Sequence, residues 1–220
     1  MRHFFSELDR LQSEIVQMGQ LVRSAVRRSV CCLTDRNPDF AEQVFRDERL
    51  INTSEIAIDE LAISLVTLNQ PVASDMRLIV AALKINTDLE RMGDLAVNIA
   101  RKSTSLIEAA PLEPAVPIPA ISKLVEEMVE HAIAAFTNRD ESLARTVMAA
   151  DDEVDRIRNE IYEDLSARME KDPTLVRRAL GHVFVARNLE RIADHATNIA
   201  EDVIFMVKGI DVRHQNDRKN

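Results

Sequence analysis

The chain has few of the residues that interrupt helices and few of those that build sheets. Its 220 residues include 4 Gly, 7 Pro, 1 Tyr, 7 Phe and no Trp. A many-stranded sheet needs frequent turns and aromatic or β-branched pairs, so this shortage argues for long helices instead. Basic residues are also outnumbered, at 28 Lys+Arg against 37 Asp+Glu, for a net charge of −9. No basic footprint for nucleic acid exists, and no nucleic-acid partner is expected. No apolar run approaches the roughly eighteen residues of a membrane span, so no direct membrane insertion is expected. The first residues, MRHFFSELDRLQSE, alternate charged and apolar positions and lack the apolar centre of a signal peptide. A cytoplasmic location is the corresponding expectation. The 2 cysteines, Cys31 and Cys32, are adjacent. That arrangement suits two buried or half-buried thiols in a reducing compartment better than a structural disulfide. Catalytic signatures are missing as well. There is no Gly-rich phosphate loop, no G-x-S-x-G, no H-E-x-x-H, and no Glu-x-x-His pair of the ferritin-like type. The expectation is a protein that is not an enzyme.

What is present is helical periodicity. Apolar residues make up 46% and charged residues 30%, enough for a globular core. The prolines are Pro38, Pro71, Pro173 and the cluster Pro111, Pro114, Pro117 and Pro119. Proline rarely sits inside a helix, so the stretches between them predict helices over about 3–34, 38–68, 71–108, 119–137, 140–171 and 173–208. Asn37 is a candidate N-cap before Pro38, and Gly209 a candidate C-cap. A helix of thirty residues is about 45 Å long at about 1.5 Å per residue. The predicted fold is all-α: two tandem antiparallel three-helix bundles related by an internal repeat. The first bundle takes 1–109, the segment APLEPAVPIP (110–119) is a stiff linker, the second bundle takes 120–209, and 210–220 is a loose polar tail.

The repeat is explicit. LERMGDLAVNIA (89–100) matches LERIADHATNIA (189–200) at Leu, Glu, Arg, Asp, Ala, Asn, Ile and Ala. Ile85, Leu89, Met92, Ala96 and Ile99 form an apolar seam, repeated as Val185, Leu189, Ile192, Ala196 and Ile199. Core seams explain the apolar identities but not the carboxylates Glu90/Asp94 and Glu190/Asp194. At about 100° per residue these project away from the seam, with Asn98 and Asn198 continuing their stripe. Like charges at i,i+4 repel by a few tenths of a kcal/mol, and a bound cation would reverse the sign.

The preceding helices supply partners. Asp151 and Asp155 are i and i+4 in the fifth helix, and Glu48 and Asn52 hold the corresponding places in the second. Antiparallel neighbours would bring such pairs face to face. This defines two candidate metal sets: Glu48, Asn52, Glu90 and Asp94, then Asp151, Asp155, Glu190 and Asp194, with Asn98 and Asn198 as ligands or supporting groups. Four carboxylates against three predict tighter metal binding by the second set. Oxygen ligands accept magnesium, manganese, iron or zinc, which leaves the metal open. His3, His131, His182 and His214 stand alone and are read as surface or capping residues. His195, beside Asp194, could assist a metal there.

The segments QPVASDMRLIVAALKINTDLERMGDLAVNIAR (70–101) and ARNLERIADHATNIAEDVIFMVKG (186–209) resemble the two signature regions of the PhoU family, accessory and regulatory proteins of bacterial high-affinity phosphate uptake. The resemblance covers essentially the whole chain. It implies paired three-helix bundles and multinuclear iron or other divalent metal held by paired (Glu/Asp)-x-x-x-Asp motifs. These fall on Glu90/Asp94, Glu190/Asp194 and Asp151/Asp155, with Glu48/Asn52 as a fourth pair. Two positions depart from the pattern, Asn52 where an acid is usual and Leu95 where the second half keeps His195. Functionally it implies a negative regulator of the phosphate-starvation response. Such a protein links the transporter ATPase subunit to the sensor histidine kinase of the phosphate two-component system. Separately, long exposed bundles make a homodimer the expected assembly. The alternatives are an accessory protein of a low-affinity phosphate permease and, further off, a metal-dependent phosphohydrolase.

Overall fold

Apolar positions at spacings of three and four, unbroken by proline, produce six long helices. The computed structural model describes residues 2–212. Its helices are α1 (Arg2–Thr34), α2 (Asp39–Asn69), α3 (Ala73–Ile107), α4 (Ile118–Asn138), α5 (Glu141–Lys171) and α6 (Val176–Lys208). No strand occurs among the described residues. None of their helices is long and apolar enough to cross a membrane. His214 and most of the predicted tail lie outside the described residues.

The boundaries follow local chemistry. The N-cap position of α2 falls on Pro38, one residue after the expected Asn37, whose Oδ1 accepts from the Asp39 amide at 2.9 Å. Gln70 closes α2 in the left-handed region (φ 48°), and α3 therefore starts at Ala73 and not at Pro71. α4 begins at Ile118, inside the predicted linker, because Pro119 fits a first turn where no N–H is needed. The helix expected from Pro173 opens instead as a 3-10 turn, Pro173–Leu175. It is held by Asp172, which accepts from the Thr174 amide (3.0 Å) and hydroxyl (2.7 Å). Gly209 ends α6 at φ 71°, its N–H bonded to Phe205 O at 2.8 Å.

α1–α3 and α4–α6 form the two bundles. They join through antiparallel packing of α3 on α6 and of α1 on α4, and one core runs through all six helices. Both predicted seams lie at its centre, with Leu89, Met92, Leu189 and Ile192 wholly buried. Gly19 marks a close approach of α1 to α4, where a Cβ would lie 2.7 Å from Ile133 Cγ1.

The linker is docked on the protein. Leu112 and Val116 are buried, Arg178 donates to Ala110 O (2.9 Å), and Arg168 donates to Pro114 O (2.5 Å). It roofs a cavity of about 280 Å³ whose wall includes Arg36 and His182. His182 is thus half-buried rather than a surface residue. Its Nδ1 pairs with Arg178 O at 3.0 Å, and burial pushes its pKa down. Cys31 is half-buried and Cys32 buried; both are free thiols with pKa values raised, burial being the main cause.

Candidate functional site

Every described candidate ligand is on α2 or α3 in the first half, or on α5 or α6 in the second. The seam of α3 faces the core, so Glu90 emerges half-buried at its edge, and Asp94 and Asn98 are exposed one and two turns on. α6 repeats this with Glu190 half-buried and Asp194 and Asn198 exposed. On the facing helices, Glu48, Asn52, Asp151 and Asp155 are all half-buried. α2 can come close because position 93 is glycine. A Cβ there would meet Ile51 Cδ1 at 3.1 Å.

In the first face, Asn52 donates Nδ2 to Glu48 Oε1 at 2.8 Å and leaves its own Oδ1 buried without a hydrogen-bond partner. Glu90 has a raised pKa, through burial first and then the negative charges of Asp94, Glu55 and Glu48, with Arg91 acting the other way. Glu55 was absent from the candidate ligands, although a signal existed: it lies three residues after Asn52 and seven after Glu48, on the same helical face. With it, the first face carries the carboxylates of Glu48, Glu55, Glu90 and Asp94.

The second face has Asp151, Asp155, Glu190 and Asp194. Burial and the charges of Asp194 and Asp155 raise Asp151. Burial, with Asp155 and Asp151 adding to it, raises Glu190 against the opposing pull of Arg158. The surrounding protein, then Glu190 and Asp155, raise Asp194, which keeps one side open to solvent. Arg158 enters this face. Its Nη2 donates to Asp155 Oδ1 at 2.9 Å and to Glu190 Oε1 at 3.3 Å. Arg158 stands where the first half has Glu55, because Asp151 corresponds to Glu48. The second face is therefore the less negative one, against the count that had favoured it. Among the described residues, no three His, Cys, Asp or Glu side chains converge into a finished metal cluster.

His195 turns its Nδ1 to α3. Its Nδ1 meets Asp88 Oδ1 at 2.8 Å across the α3–α6 contact, both side chains about seven-eighths buried (13% and 12% exposed). The Asp194 carboxylate leaves about 100° further round α6, still close enough for His195 to oppose the rise in its pKa. Leu95, the counterpart of His195, is likewise buried at 5% exposure, so this pair of positions belongs to the bundle contact and not to the surface. A second bond across that contact, Lys84 Nζ to Asp202 Oδ1 (2.7 Å), has as its counterpart Lys102 over the Phe184 ring, 5.3 Å from its centroid.

The family model of the PhoU domain matches residues 15–103 and 118–203, one match in each bundle. The chain belongs to the PhoU family. Its relatives there include the "Phosphate-specific transport system accessory protein PhoU homolog" of Aquifex aeolicus (strain VF5), 38% identical over 212 residues and 96% of each chain. The protein of the same description from Pseudomonas aeruginosa is 39% identical over 214 residues, 97% of this chain and 88% of that one. Among solved structures, PhoU from Pseudomonas aeruginosa superposes with a TM-score of 0.90 at 38% identity, covering 94% of this chain and 100% of that one. The phosphate transport system regulatory protein PhoU from Streptococcus pneumoniae gives 0.87 at 26% identity, covering 95% and 99%. The PhoU fold of paired helical bundles is thus shared over 94–95% of the chain.

Proposed function

We propose that this protein is an accessory regulator of phosphate uptake whose two acidic faces take up divalent cations. The near-full-length relationship to proteins named as phosphate-specific transport accessories carries the first half of this reading. In it, the protein restrains the phosphate-starvation response from the cytoplasm, as a homodimer that links the transporter ATPase subunit to the sensor histidine kinase.

The chemistry of the faces supports the cation. Glu90, raised by burial and then by Asp94, Glu55 and Glu48, stands in the first face with a buried Asn52 amide oxygen that has no partner, a hard oxygen donor set. In the first half Glu48, Glu55, Glu90 and Asp94, with Asn52, would hold magnesium, manganese, iron or zinc. In the second half Asp151, Asp155, Glu190 and Asp194 would do so. Asn98 and Asn198 lie one turn further along each stripe. A bound cation would neutralise repulsion between helices and fix the spacing of α2 to α3 and of α5 to α6. No hydrolytic step is assigned to it.

Two experiments test the reading. Metal analysis with anomalous scattering from crystals grown with manganese should place the ion on these faces. A protein that binds none at millimolar metal would refute the cation role. Co-purification from the native host should recover the transporter ATPase subunit; recovery of a low-affinity permease alone would replace the adaptor reading with the permease one.

A further inference from the structure

We propose that Arg158 is a resident counter-cation of the second acidic face, so that metal loads the first face first and must displace Arg158 to load the second. The inference rests on the cation-binding reading and adds an order of occupancy to it.

Three observations support it. Arg158 bridges α5 and α6 through Asp155 (2.9 Å) and Glu190 (3.3 Å), joining the two helices whose carboxylates would hold a metal. A guanidinium cannot be deprotonated at any ordinary pH, so it and a metal ion compete for the same oxygens. The corresponding residue of the first half is Glu55, whose charge instead adds to the repulsion on Glu90. One substitution within the repeat therefore converts a candidate ligand into a competitor.

Room for displacement exists beside the second face. A cleft of about 360 Å³ opens there, lined by Arg158, Tyr162, Ala186, Arg187 and Glu190 among others. Arg158 is about one-third exposed, and its Nε is buried without a partner. Neither its position nor its remaining hydrogen-bonding capacity locks it in place. In the first half the equivalent places hold Asp59 and Asn86. Asn86 Nδ2 donates to Asp59 Oδ1 and to the Glu55 carbonyl, both at 2.9 Å. Those bonds tie α2 to α3, whereas Tyr162 and Ala186 leave space.

Manganese(II) titration of the full-length protein, with free ion counted by electron paramagnetic resonance, tests the order. Glu90→Gln should abolish the tighter class of sites, and Asp194→Asn only the weaker. Arg158→Gln should tighten the weaker class by about tenfold or more, since it removes one like charge within contact of the ion. Arg158→Lys, which keeps the charge, should leave that class weak and guards against loss of packing as the cause. If manganese binds both faces and Arg158→Gln leaves the second unchanged, or if the second face is the tighter in the wild type, the proposal fails while the cation reading stands. If manganese binds neither the wild type nor Arg158→Gln, both fail.

Discussion

Neutralising Glu90 should stabilise the metal-free protein and weaken the metal-bound one. In chelator, Glu90 faces the negative charges of Asp94, Glu55 and Glu48, partly offset by Arg91. At about 0.3 kcal/mol per like-charge neighbour on a helical surface, Glu90→Gln relieves about 0.5–1 kcal/mol. For a protein of this size that corresponds to a rise in melting temperature of about 1–4 °C. With metal at a hundredfold excess over its Kd, the wild type gains about 2.7 kcal/mol and rises by about 5–11 °C, a gain the variant largely loses. The curves of the two proteins should therefore cross as metal is added.

The pH dependence follows from the direction of the shift. A carboxylate whose folded pKa is raised binds more protons folded than unfolded, so its cost is absent at low pH. The cost appears as pH rises from the ordinary value near ~4.3 through the raised folded value. The advantage of Glu90→Gln in chelator should thus be full at neutral pH and vanish below about pH 4. Differential scanning fluorimetry at both pH values, with and without manganese, reads all four conditions. A variant less stable than wild type in chelator at pH 7 would refute the electrostatic reasoning, whatever its behaviour in metal.

Gly19→Ala should destabilise the protein by about 1–2 kcal/mol, because a Cβ 2.7 Å from Ile133 Cγ1 forces α1 from α4 and outweighs the gain in helix propensity. Chemical denaturation measures it, and a stabilised variant would contradict the close packing. His195→Leu should cost about 1–3 kcal/mol by leaving Asp88 nearly buried without its partner. Adding Asp88→Asn recreates the Leu95/Asn188 pair of the other half and should recover most of the loss; an additive double-mutant cycle would deny the coupling. Phe136→Ala, at a wholly buried site on α4, should cost about 3–5 kcal/mol in the same assay.

The helices and the repeat were legible because both rest on local periodicity. Proline positions, the seams of α3 and α6 and the cap at Gly209 needed no knowledge of neighbours. The acidic stripes could be read for the same reason, since Glu90 and Asp94 share a helical face whatever packs beside it. Glu55 and Arg158 were missed although each lies one turn beyond Asn52 or Asp155 on the same helical face, and helix pairing brings both to the charges of α3 or α6. His195 gave no sign of its Asp88 partner for a related reason. Its proximity to Asp194 along the chain says little about direction, since successive residues on a helix point about 100° apart.

The amino-acid order alone determined that this protein is a duplicated all-helical unit bearing one carboxylate stripe per copy. Short-range periodicity and chain stiffness suffice for that, because they act within each helix. Only the tertiary structure decided that the two stripes differ in charge, that His195 and Asp88 join the bundles, and that the proline segment roofs a cavity. Those features depend on side chains from helices far apart in sequence, and their meeting is set by the packing of the shared core.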